Sequence, residues 1–97
     1  MAKQVARHLV IHGRVQGVFF RASTRQVARE QGIAGWVANR SDGAVEAWLE
    51  GDADAVETVE AWIMTGGPPS AEVTDVDGSD EPLRGLDRFE VRQAPGS

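Results

Sequence analysis

The chain reads as an α+β sandwich, and three features of the sequence predict it. Several short stretches alternate apolar and polar residues with the period-two pattern of strands. Two longer stretches carry apolar residues at helical spacing, Phe20, Thr24, Val27, Ala28 and then Val56, Val59, Trp62, Ile63. An Asp42-Gly43 pair sits between two strand-like runs, where it marks a hairpin turn.

The first strand is predicted over Val5 to His12. Val5, Leu9 and Ile11 fall on one face, and Ala6, His8, Val10 and His12 on the other. His8 and His12 have metal-like spacing only on a helix; on a strand they stand about 13 Å apart, too far for one ion. Both are expected as exposed histidines of a sheet face. Phe20 to Gln31 is predicted as a helix, stopped by Gly32. Ile33 to Asn39 and Ala44 to Glu50 form the hairpin. Val45, Ala47 and Leu49 point one way, with Glu46, Trp48 and Glu50 the other, as in a sheet covered on one face and wet on the other.

A second helix opens at Gly51-Asp52, with Asp52 or Asp54 able to cap it, and Gly66-Gly67-Pro68-Pro69 ends it. Trp62 is expected as a core anchor. Ala71 to Val76 reads as a fourth strand, Asp77 to Gly85 as a solvated acidic loop, and Leu86 to Arg92 as a short last strand with Phe89 and Val91 on one face. Ala94 to Ser97 is expected to fray. The order β-α-β-β-α-β is that of a ferredoxin-like split β-α-β sandwich, an antiparallel sheet with two helices on one face. That fold hosts RNA-binding modules and small-molecule sensors as well as enzymes, so the order does not decide function.

Ninety-seven residues predict one domain, 1–97, with an ordered core of about 5–92. There is no cysteine, which excludes disulfides, thiolate catalysis and cysteine-based metal sites. The start, Met1-Ala2-Lys3-Gln4-Val5, has no long apolar run, so neither a secretion signal nor a membrane span is expected, and a cytoplasmic monomer is the default reading. A net charge of −5 argues against non-specific nucleic-acid binding. The charge is unevenly spread: residues 1–40 hold seven Lys and Arg against Glu30 alone, and residues 41–97 hold three Arg against fourteen acids. A positive field in the first segment would attract a small anion; an uneven solvated surface gives the same count.

The positive segment contains Gly13 to Arg21, which links the first strand to the first helix. Glycine at 13 and 17 allows a turn whose successive N–H groups point inward as an anion nest. The first turn of the following helix adds free N–H groups and partial positive charge. Arg21 lies in that turn, where its planar fork suits two phosphate oxygens. The spacing matches neither the Walker pattern nor the dinucleotide pattern, and an ordinary structured turn fits the glycines equally well. Asn39, at the mouth of the hairpin, has a local reading too, as an asparagine bonded to turn backbone. No acidic pair lies near the loop, and no Ser or Thr adjoins a basic partner as a triad would require.

The whole string Gly13-Arg14-Val15-Gln16-Gly17-Val18-Phe19-Phe20-Arg21 closely resembles a signature of the acylphosphatase family. Gly35-Trp36-Val37-Ala38-Asn39 and Asp42-Gly43-Ala44-Val45 resemble that family's second signature, in the expected order and spacing. The resemblance runs from about Val5 to Arg92 and implies the same sandwich fold. It implies hydrolysis of the carboxyl–phosphate bond of small-molecule acyl phosphates, giving a carboxylate and inorganic phosphate, by direct attack of water and with no cofactor or metal. The matching arginine is Arg21, which would bind the phosphoryl oxygens with backbone N–H groups of Val15, Gln16, Gly17, Val18, Phe19 and Phe20. The matching asparagine is Asn39, which would orient the water. Arg40, directly after it, is placed to tune the site. A non-catalytic module binding an anion or a partner on the same fold is the alternative.

Overall fold

A computed structural model describes residues 3–92; the Ala94 to Ser97 tail, expected to fray, lies outside them. Along the chain come β1 (Gln4–Arg14), α1 (Phe20–Glu30), β2 (Ala34–Asn39), β3 (Val45–Asp52), α2 (Ala53–Met64), β4 (Glu72–Glu81) and β5 (Phe89–Arg92). The five strands form one sheet in the order β4-β1-β3-β2-β5. β1 and β2 flank β3 and run antiparallel to it, so the β1-α1-β2 unit is split by the hairpin partner. This is the predicted sandwich.

One pairing departs from the antiparallel expectation: β5 runs parallel to β2, which makes the sheet mixed. After β4, which is antiparallel to β1 at one edge, the chain crosses the end of the sheet and comes back along the opposite edge. There β5 covers the free edge of β2 and buries Phe89 in the core. Local pattern shows that residues 89–92 are a strand; it does not show which edge they join.

The core follows the predicted alternation. Leu9, Ile11, Val37, Val45, Ala47 and Leu49 point from the sheet to the helices and are fully buried. They meet Phe20 and Ala28 of α1 and Val56, Val59 and Ile63 of α2. α1 packs over β2 and β5, and α2 over β1, β3 and β4. Trp62 is partly buried, with its ring 6.1 Å from that of Phe20. Asp52 takes the N-cap position of α2 but makes no side-chain cap bond; its carboxylate accepts from the Gln4 amide instead.

The other sheet face is only partly wet. Trp48 and Glu50, expected toward water, are 2% and 5% exposed. The segment 82–88 covers them, with the Arg84 guanidinium 4.0 Å from the Trp48 ring centre. Glu50 accepts from the backbone N–H groups of Arg84, Gly85 and Leu86 at 2.8–3.1 Å and from Trp48 Nε1 at 2.9 Å. The predicted acidic loop is also shorter than expected, because Asp77 to Glu81 continue β4 beside Ala6 to Val10. An edge strand needs only backbone pairing, so acidic side chains do not exclude it. His8 and His12 lie on this face and pair separately, with Glu46 at 2.5 Å and Asp77 at 3.1 Å.

Candidate active site

The site forms where β1 gives way to α1. The strand ends at Arg14 and the helix starts at Phe20, so five residues turn the chain. Gly17 takes φ 73° and Phe19 φ 63°, both left-handed. Glycine enters that region freely; a phenylalanine does so at a cost of order 1–3 kcal/mol, which marks the loop as held in shape by its surroundings. Phe19 also stands 80% exposed at the cavity rim. Left-handed residues of this kind allow a backbone to gather N–H groups on one side. Ser23 makes the first helical bond, to the Phe19 carbonyl at 3.0 Å, and the N–H groups of Gln16 to Ala22 have no acceptor among the described residues. They are donors without partners at the positive end of a helix.

A cavity of about 380 Å³ opens over this loop, lined by Val15, Gly17, Phe19, Phe20, Arg21, Ala22, Arg25, Asn39 and Val91. Arg21 and Asn39, eighteen residues apart in sequence, therefore face one space. Arg21, second residue of α1, reaches the Arg92 carbonyl at the end of β5 with Nη1 at 3.5 Å, and its other donors remain for a ligand. Asn39 is the last residue of β2. Its Oδ1 is buried and has no hydrogen-bond partner among the described residues. A buried acceptor left open costs roughly 1–3 kcal/mol unless something binds it. The hairpin turn does not use it: Ala44 N–H donates to Asp42 Oδ1 at 3.1 Å, and Gly43 N–H donates to the Arg40 carbonyl at 3.2 Å.

The other expected residues divide by side chain and backbone. Val15 and Phe20 are buried floor of the cavity. Val18 packs against the core, and its carbonyl accepts from Ser70 Oγ at 2.7 Å. The Gln16 side chain turns away from the cavity and donates to the carbonyls of Arg40 and Ala44 at 2.7 and 2.9 Å. It thereby ties the anion loop to the turn that follows Asn39. Arg40 points to that turn and pairs with Asp42 at 3.1 Å. The Ala44 N–H first, and the Arg40 charge as well, hold the Asp42 carboxyl below its usual range.

Sequence reasoning missed Ala22, Arg25 and Val91. Arg25 had a signal, since it lies four residues after Arg21 on the same helix stripe. Val91 had none, because only the β2–β5 pairing brings it here. Among the described residues, the lining holds two arginines and no carboxylate. Such a lining suits an anion and, among the described residues, offers no carboxylate or imidazole to take a proton.

The acylphosphatase family model matches residues 7–91. The acylphosphatase of Natronomonas pharaonis is 46% identical over 93 residues, covering 96% of this chain and all (100%) of that protein. The solved acylphosphatase of Coxiella burnetii superposes with a TM-score of 0.87 at 37% identity, covering 92% of this chain and 93% of that one. The crystal structure of acylphosphatase from Bacillus subtilis gives 0.86 at 35% identity, covering 91% and 98%.

Proposed function

The chain belongs to the acylphosphatase family and hydrolyses the carboxyl–phosphate bond of acyl phosphates, and we propose that Arg21 and Asn39 carry that reaction. The phosphoryl group lies in the loop of Val15 to Arg21, on the N–H groups that lack acceptors. Arg21 closes over it with a two-pronged grip on the equatorial oxygens. Asn39 Oδ1 accepts a hydrogen from the attacking water and holds its oxygen toward phosphorus. The buried, unpartnered state of that oxygen atom is the observation that carries the proposal.

The chemistry needs little more. Phosphoryl transfer rests on positioning and on stabilising charge over the phosphoryl oxygens. The water oxygen bonds to phosphorus, the bond from phosphorus to the acyl oxygen breaks, and its electron pair leaves with the carboxylate. A carboxylate, with a parent pKa of roughly 4, departs without a protein acid. The departing oxygen takes the water's proton, which fits a cavity lined by no His, Asp or Glu among the described residues.

Hydrolysis of benzoyl phosphate in ¹⁸O-water tests this route. The label should enter the released inorganic phosphate; label in the benzoate would place attack at the carbonyl carbon and remove Asn39's role.

The same proposal takes the chain as one domain and a cytoplasmic monomer. A single contiguous apolar cluster supports the first. Phe19, Met64 and Leu83, on three different segments, are the exposed large apolar side chains among the described residues, which supports the second. No helix among those residues is long and apolar enough to cross a membrane.

A further inference from the structure

We infer that Arg25 is a specificity residue, binding a second negative charge on the acyl group, so that this enzyme favours acyl phosphates whose acyl part ends in a carboxylate or a phosphate. The inference rests on Arg21 and the loop holding the phosphoryl group.

Arg21, Arg25 and Arg29 lie on one stripe of α1, each four residues from the next, with Cβ atoms roughly 5–6 Å apart. Their surroundings differ. Arg21 donates to the Arg92 carbonyl, and Arg29 Nη2 donates to the Phe89 carbonyl at 3.3 Å. Arg25, partly buried between them, has neither a hydrogen-bond acceptor nor an ion-pair partner among the described residues. It lines the active-site cavity and also an adjoining concavity of about 430 Å³, the two sharing Ala22 and Arg25. Glu30 borders that second concavity but makes no ion pair with Arg25.

With the phosphoryl group on the loop, the acyl group must fill the rest of the cavity, between Phe19, Ala22, Val91 and Arg25. The first three offer apolar surface to a short methylene chain. Arg25 then meets whatever ends that chain, about one helical turn from Arg21. A guanidinium with no acceptor among the described residues forms a charge-assisted pair with a carboxylate or phosphate there. An uncharged acyl group gains nothing from it.

Steady-state kinetics on acetyl phosphate and succinyl phosphate test this in the wild type, Arg25→Gln and Arg25→Lys. For succinyl phosphate, Arg25→Gln should raise KM roughly tenfold with kcat within about twofold, while both constants for acetyl phosphate move less than about twofold. Arg25→Lys should recover part of the loss, since it keeps the charge without the fork. Equal changes on the two substrates, or none on succinyl phosphate, would overturn the inference. Should Arg25→Gln fail to fold, inhibition of the wild type decides: phosphonoacetate should bind roughly tenfold tighter than methylphosphonate, and equal inhibition would overturn it. Failure of the underlying site has a different signature, because Arg21→Ala would then turn over both substrates at the wild-type rate.

Discussion

Arg21 and Asn39 share a cavity; the proposed mechanism gives them different tasks, and substitution separates them. In that mechanism Arg21 holds the phosphoryl group in the ground and transition states alike. Arg21→Ala should lower kcat/KM roughly 10³-fold and weaken phosphate binding. Arg21→Lys should fall short of wild type despite its charge, because an ammonium cannot grip two oxygens in one plane. Asn39 is assigned to the water. Asn39→Ala should lower kcat by roughly 10²–10³-fold and leave phosphate binding near normal. Measuring kcat and the phosphate-induced melting shift on folded protein settles the division. Near-wild-type turnover by Asn39→Ala would instead leave Asn39 a local turn residue, worth on the order of 1 kcal/mol of stability.

The elements around these residues are held by bonds that bridge distant parts of the chain. Gln16 ties the loop of 15–19 to the hairpin turn through two carbonyls, which holds the Arg21 and Asn39 sides of the cavity at a fixed separation. At the far end of the sheet, Glu50 holds segment 82–88 over Trp48 through three backbone N–H groups. Burial works against its charge, but the donors from Trp48, Arg84, Gly85 and Leu86 together outweigh it and hold the Glu50 carboxyl below its usual range. A depressed folded pKa stabilises the fold above the unfolded glutamate value of about 4.3, and that stability is lost as pH falls through the folded value. Glu50→Gln should cost about 1–3 kcal/mol at neutral pH, because its amide group turns donors toward donors. Urea melts at pH 7 and pH 3 should show the wild type losing more stability on acidification than the variant. Parallel losses would show that Glu50 is not a source of the pH dependence.

For the whole molecule, the proposed anion loop should couple ligand to folding. The loop takes its shape only once β1, α1 and the hairpin are assembled, so phosphate is expected to bind the native state alone. Its contribution is RT ln(1 + [L]/Kd), about 2.7 kcal/mol at a hundred times Kd. For a domain of this size that is a rise in Tm of roughly ten degrees or more. Sulfate should act similarly, and chloride at matched ionic strength should not. Equal melting temperatures in phosphate and chloride would count against the loop as an anion site.

The sequence by itself determined what depends on neighbours along the chain. Helical stripes, strand alternation and the Asp42-Gly43 turn placed six of the seven elements to within a few residues, and β4 alone ran five residues longer than its pattern showed. The loop was legible because its parts are consecutive: two glycines, a helix start and Arg21 lie within nine residues. Asn39 was legible through its motif, since periodicity alone gave it a local turn role. Tertiary structure decided the rest. It set β5 parallel to β2, laid segment 82–88 over Trp48 and Glu50, turned Gln16 toward the hairpin, and brought Val91 and Arg25 to the cavity. Each of these joins groups far apart in the chain, or selects one direction among those a local conformation allows. Local periodicity carries no term for such choices; they follow from which edge is free, which donor meets which acceptor, and what space remains once the core has closed.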